Sequence, residues 1–150
     1  RHCMSPNPPQ VVLVNSMIWD MACRTTFPQY GKLLEALAGI LRAAHAVSPG
    51  TQFFYRLNAA TGGFYRMGRY EGAVITAAYR QAALGMLNKF RFLQPLDMHD
   101  VTQPWALTRM SGDGWHWGPQ QMPPGHEKEN FVFRAVLQAV FTVACAAGLP

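Results

Sequence analysis

Asp113 and His116 are the two side chains whose types and spacing could do chemistry together. They lie three positions apart within residues 111–118, a stretch in which glycine and tryptophan residues surround them. An aspartate that holds a histidine in one tautomer supplies the acid and the base of a nucleophilic triad. Glycine permits turns that other residues cannot make, so the stretch predicts a tight loop. Two plainer interpretations compete, since Asp113 could cap a turn and His116 could be a loop histidine without a catalytic role.

The composition is that of one domain with a hydrophobic core. The chain has 150 residues, of which 49% are hydrophobic, and a net charge of +5. A disordered chain is therefore excluded. The thirteen Lys and Arg residues are scattered and form no stripe with aromatic residues, so there is no specific signal for nucleic-acid binding. The run from Ala135 to Leu149 is shorter than the ~20 apolar residues that span a bilayer, and we interpret it as a core helix.

The residues that commonly bind metals match no metal site. Cys3, Cys23 and Cys145 fit neither a zinc spacing nor a dense disulfide framework. One disulfide with a free thiol and three separate thiols are both allowed. His99 has an aspartate on either side, at positions 97 and 100, but the spacing matches no ligand signature, so we interpret this stretch as a strand-end loop. We expect no metal and no cofactor.

Strand and helix patterns alternate along the chain after a proline-rich linker at residues 1–10. The predicted strands are Val11–Val14, Thr51–Leu57 and Phe90–Leu96. The predicted helices are an amphipathic helix of about 15 residues between Thr25 and Ser48, a helix from about Glu71 to Lys89, and a C-terminal helix marked by Phe133 to Ala144. The apolar face predicted for the second helix consists of Ile75, Ala78, Ala82 and Met86. This alternation predicts an α/β fold with a parallel sheet, and Pro95 predicts that its strand lies at an edge.

Polar residues directly follow the first predicted strand. Asn15, Ser16 and Trp19 come just after Val11–Val14, and open α/β sheets place their sites at the carboxyl ends of their strands. Asn15 and Ser16 are therefore candidates for oxyanion or substrate contacts, with capping of the strand end as the alternative. Trp19 could contact substrate or serve as a core anchor.

The stretches at residues 11–20 and 113–117 together resemble a known family. Residues 11–20 resemble the third conserved block of the SGNH (GDSL-like) hydrolases, in the PC-esterase and trichome-birefringence-like acyl-esterase branch, where a buried strand runs into Trp-Asp or Trp-Trp. Asp113-Gly114-Trp115-His116-Trp117 resembles the last block, D-x-x-H-W. The resemblance covers residues 11–146. It implies a three-layer α/β/α fold of the flavodoxin-like type with a parallel sheet, of which residues 11–150 are the C-terminal portion and the N-terminal strands are missing.

The resemblance implies a serine acyl-esterase or acyltransferase that acts on ester-linked acyl groups, such as O-acetyl groups of a glycan. Asp113 and His116 would be the acid and the base, and Asn15 would contact the oxyanion. The sequence departs from the family in two ways. No serine stands in a Gly-Asp-Ser segment, so the nucleophile would lie outside this sequence, and Trp19 occupies the position where other family members carry the oxyanion-hole asparagine.

The missing first strands define the expected partner and the main alternative function. An unpaired strand edge needs covering, so we expect a preceding segment or another chain to complete the sheet. The alternative is a catalytically inactive SGNH-like scaffold subunit of a larger assembly, and a third interpretation is a carbohydrate-binding module that uses Trp115 and Trp117. The resemblance favours the secretory pathway or the extracellular space, with a large intracellular or organellar complex as the alternative.

Overall fold

A three-stranded parallel sheet forms the centre of the protein. The computed structural model describes residues 7–16, 20, 23, 25–61, 73–106 and 131–148. The strands are β1 (Val11–Val14), β2 (Gln52–Leu57) and β3 (Leu93–Asp97), in the order β1-β2-β3. Both pairings are parallel, so all three carboxyl ends lie at one end of the sheet. The predicted α/β fold with a parallel sheet is confirmed, and β3 lies at an edge of the described sheet, as Pro95 predicts.

The first helix is longer than predicted because its cap lies well before the apolar periodicity begins. Helix α1 (Phe27–Val47) starts at Thr26, which forms a reciprocal capping box with Gln29 and has Pro28 in the first turn. The helix ends where the N–H of Ser48 donates to the carbonyl of Ala44 at 3.0 Å. The caps therefore define 21 residues, of which the hydrophobic pattern predicted only the middle.

The first face of the sheet is covered by α1 and by α2 (Ala73–Leu87). The strands contribute alternate residues to this core, among them Phe53, Tyr55 and Leu57 of β2. Helix α2 packs through a stripe in which Tyr79, Ala83 and Leu87 repeat every four residues. The predicted face, with Ile75, Ala82 and Met86, is only partly buried beside this stripe. The helix is therefore rotated toward the larger tyrosine side chain.

The second face of the sheet is partly buried, with Leu13 and Gln94 exposed on it, in a three-layer α/β/α arrangement. Phe54 and Leu96 point to the face opposite Phe53 and are 5% and 8% exposed. The C-terminal helix α4 (Phe131–Gly148) contacts β1 and the short helix after β3. Among the described helices, none combines the length and apolar character that crossing a bilayer requires.

A short helix stands where a strand-end loop was predicted around His99. Helix α3 (Met98–Thr102) follows β3 directly and continues into a 3₁₀ turn, Gln103–Trp105. Asp97 explains the difference, because its carboxylate accepts a hydrogen bond from the backbone N–H of His99 at 3.1 Å and so caps the helix. The prediction of a loop at this position was wrong, and His99 is buried on the first turn of α3.

Candidate functional site

The predicted site residues divide between the described and the undescribed parts of the chain. Asn15 and Ser16 are described and follow β1, at the end of the sheet where all three strands finish. Asp113, His116 and Trp19 lie outside the described residues, as do Trp115 and Trp117. The proposed acid–base pair therefore stays a prediction, and the described residues show what surrounds the strand ends.

Asn15 joins the ends of β1 and β2 through its side-chain amide. Its Nδ2 donates to the backbone carbonyl of Arg56 at 2.6 Å and to Oδ1 of Asn58 at 2.9 Å. Asn58 comes directly after β2 and is 6% exposed. Its own Nδ2 is buried and has no hydrogen-bond partner among the described residues. The pair thus presents one buried donor that the described residues leave unused.

Ser16 begins a chain of hydroxyl groups that runs into the core. Its Oγ lies 2.6 Å from the Tyr55 hydroxyl, which lies 3.1 Å from the Tyr30 hydroxyl. Both tyrosines are fully buried, and this burial raises the pKa of each above the ordinary value of 10. The hydroxyls are therefore neutral near pH 7. Their hydrogen bonds connect the end of β1 and strand β2 to α1.

An ion pair network stands at the end of β3. Arg80 of α2 pairs with Asp97 and lies 3.0 Å from Oδ1 of Asp100. Its hydrogen bonds to Asp97 are the main cause that raises the pKa of Arg80. The Nδ1 of His99 lies 3.5 Å from the Asp100 carboxylate without forming a hydrogen bond. These ion pairs connect α2 to the end of β3 and the start of α3.

Metal binding has no donor set in the described part of the chain. The His, Cys, Asp and Glu residues there form no group of three or more that could hold a metal ion. Cys23 and Cys145 are both free and exposed, so they are not paired with each other.

Trp105 and Phe131 bring the two ends of segment 107–130 together. The Trp105 ring, at the end of the 3₁₀ turn, packs edge-on against the Phe131 ring, at the start of α4, with centroids 4.6 Å apart. Segment 107–130 contains Asp113 and His116. The chain therefore leaves and re-enters the described structure at one place, beside α3 and close to the end of β3.

Sequence reasoning singled out Asn15 and Ser16 but missed their partners. Asn58 carried a usable signal, because it is a polar residue directly after a predicted strand. Tyr30 and Arg80 carried none, since each contacts the strand residues from a neighbouring helix. Their roles depend on how α1 and α2 are rotated against the sheet.

Comparison with protein-family models, with curated proteins and with solved structures gives no match.

Proposed function

We propose that the chain belongs to an SGNH-type serine acyl-esterase or acyltransferase that acts on ester-linked acyl groups, with O-acetyl groups of a glycan as the first substrate to test. The observation that carries the proposal is the contact between Trp105 and Phe131. This contact lies beside the short helix α3, which directly follows β3. Both ends of segment 107–130, which contains Asp113 and His116, therefore start near the end of the sheet where Asn15 and Asn58 lie.

In this mechanism a serine outside the sequence attacks the acyl carbon of the ester. His116 takes the serine proton, and Asp113 holds the imidazole in the tautomer that can accept it. His116 then donates the proton to the leaving alcohol oxygen, which leaves an acyl-serine. Water attacks that intermediate in an esterase, and an acceptor hydroxyl attacks it in a transferase, with His116 again taking the proton. Hydrogen-bond donors at the ends of β1 and β2 stabilise the tetrahedral oxyanion.

The outer edge of β1 supports the expectation that the sheet continues. In the described part of the chain β1 pairs only with β2, and Leu13 in its middle is 43% exposed. An open strand edge beside an exposed leucine is a surface that proteins normally cover. The proposal includes a further strand beside β1, from a preceding segment of the same polypeptide or from another chain, and this strand would belong to the part that carries the serine.

The test uses the full-length protein in which this chain occurs. We expect hydrolysis of p-nitrophenyl acetate and covalent labelling by a fluorophosphonate, which reacts with activated serines. His116→Ala should abolish hydrolysis and Asp113→Asn should reduce it by about 10⁴-fold, the loss typical of a triad whose histidine is held in the wrong tautomer.

His45→Leu is the matched control for these variants. His45 stacks on Phe92, before the start of β3, and so lies at the opposite end of the sheet. This variant should keep its activity per folded molecule. Activity that survives His116→Ala would remove this histidine from the mechanism.

The β1 edge also favours a second candidate, the inactive scaffold subunit, because such an edge equally suits a partner chain in a permanent assembly. Fluorophosphonate labelling distinguishes the two. A full-length protein that is folded, bound to a partner and unlabelled would favour the scaffold over the enzyme, whereas a labelled protein would favour the enzyme.

A further inference from the structure

The amide groups of Asn15 and Asn58 have fixed orientations, which the neighbouring backbone decides. A carbonyl oxygen can only accept a hydrogen bond, so the Asn15 atom that lies 2.6 Å from the Arg56 carbonyl has to be the nitrogen. The same nitrogen lies 2.9 Å from Asn58, and the Asn58 atom that faces it has to be the oxygen. Both amide hydrogens of Asn15 are then used within the protein.

Asn58 consequently turns its amide nitrogen away from Asn15. The side chain is 6% exposed, and its Nδ2 meets no acceptor among the described residues. A buried donor without a partner is destabilising, so native proteins rarely keep one without a ligand or an ordered water. Flipping the amide would not help, because it would set two nitrogens against each other.

We propose that the Asn58 amide is the hydrogen-bond donor that receives the acyl oxygen of the ester, and that Asn15 is a positioning residue that holds this amide in the donating orientation. This inference rests on the proposed function. Asn58 follows the central strand β2 at its carboxyl end, where ligands bind in open α/β sheets.

Three features suit the Asn58 amide to donate to a developing oxyanion. The neutral amide keeps its donors at every pH, and its low exposure removes the competing water that would weaken its hydrogen bonds. The segment after Asn58 is also held in place, since the N–H of Ala60 donates to Thr102 Oγ1 at 2.7 Å. The segment that follows the donor is therefore held in place before the substrate arrives.

Steady-state kinetics of the full-length protein on p-nitrophenyl acetate test the role of Asn58. Asn58→Asp keeps the shape and the oxygen that faces Asn15 but replaces the donor, and kcat should fall by about 10²–10³-fold with KM changed less than about threefold. Asn15→Ala should lower kcat by about tenfold at constant KM, because the Asn58 amide can then turn. Asn88→Ala changes an exposed asparagine after α2 and is the matched control, with unchanged kcat.

The outcomes separate this inference from the proposed function. If His116→Ala is inactive while Asn58→Asp and Asn58→Ala keep more than a third of the wild-type kcat, the esterase stands and the role of Asn58 is refuted. If the wild-type protein neither hydrolyses the ester nor reacts with the fluorophosphonate, the proposed function fails and the role of Asn58 fails with it.

A measurement on the wild-type protein covers the case in which the variants do not fold. A boronic acid that bonds to the serine forms a tetrahedral adduct with an oxygen in the oxyanion position. In a ¹H–¹⁵N spectrum, one Nδ2 proton of Asn58 should move downfield when methylboronic acid is added, while the signals of Asn88 stay in place. Unchanged Asn58 signals in the boronate adduct would overturn the proposal.

Discussion

Removal of the Tyr55 hydroxyl should destabilise the fold more than removal of the Tyr30 hydroxyl. In the described structure the Tyr55 hydroxyl contacts both Ser16, at 2.6 Å, and Tyr30, at 3.1 Å. Each net hydrogen bond contributes about 1 kcal/mol. Because Tyr30 is fully buried, its hydroxyl loses a partner that water cannot replace. Tyr55→Phe should therefore lower the free energy of unfolding by about 2 kcal/mol, and Tyr30→Phe, which leaves the contact with Ser16 intact, by about 1 kcal/mol.

Urea unfolding followed by circular dichroism measures both changes, and an unchanged dependence on urea concentration shows that only stability has moved. The double variant provides the sharper test. Once both hydroxyls are gone, no buried tyrosine hydroxyl is left unpaired, and the partly exposed Ser16 can bond to water. The double variant should therefore lose less than the sum of the two single losses. Equal losses for the two single variants, or losses that simply add, would refute the hydrogen-bonded chain.

Three further predictions concern pH and the strand ends. Because burial raises both tyrosine pKa values, the folded state keeps protons that the unfolded chain releases above pH about 10. The contribution of the two tyrosines to stability is therefore complete below that pH. Above it the free energy of unfolding should fall by up to about 1.4 kcal/mol per pH unit for each tyrosine. Urea unfolding between pH 9 and 11 should show a smaller slope for the variant that carries both Tyr30→Phe and Tyr55→Phe. Thr102→Val removes the acceptor of the Ala60 N–H from a fully buried site and should cost about 1–2 kcal/mol by thermal unfolding, against less than about 0.5 kcal/mol for the exposed Thr142→Val. Asp97→Asn breaks the less exposed ion pair with Arg80 and should lower the free energy of unfolding by about 1–2 kcal/mol in the same assay. Asp100→Asn, at 68% side-chain exposure, should lower it by less than about 0.5 kcal/mol. Equal losses would contradict the difference in burial.

The bounds of β1 and the ends of α1 were predictable because their signals are local. Val11–Val14 is a continuous run of branched apolar residues, and the structure gives it the same bounds. Thr26 and Ser48 likewise mark the two ends of α1. Side chains near in sequence decide such features, so a pattern can reveal them.

Other features depended on contacts between distant parts of the chain. The stripe by which α2 packs is shifted from the predicted face, because the Tyr79 ring packs at a tilt against the rings of Tyr30 and Phe27 of another helix. The helix after β3 depended on whether the Asp97 carboxylate turns back to the N–H of His99 while also pairing with Arg80. Hydrophobic periodicity contains neither piece of information.

The candidate site was predictable in its position and less so in its composition. Asn15 directly follows the apolar run Val11–Val14, so its place at the end of the sheet could be inferred from the sequence. Its hydrogen bond to Asn58 could not, because the two residues lie 43 positions apart and meet only through the register of β1 and β2. The parallel register brings these two polar strand ends together, and the Asn58 amide then keeps a donor that the described residues leave unpaired.

The order of the strands in the sheet has a consequence for how the chain folds as it is synthesised. Strands that follow one another in the chain are also neighbours in the sheet, and each pairing joins residues only about 40 positions apart. When β2 leaves the ribosome its partner β1 and the helix between them already exist, and β3 then meets a completed β2. We therefore expect the sheet to grow strand by strand during translation, without waiting for the C-terminal helix.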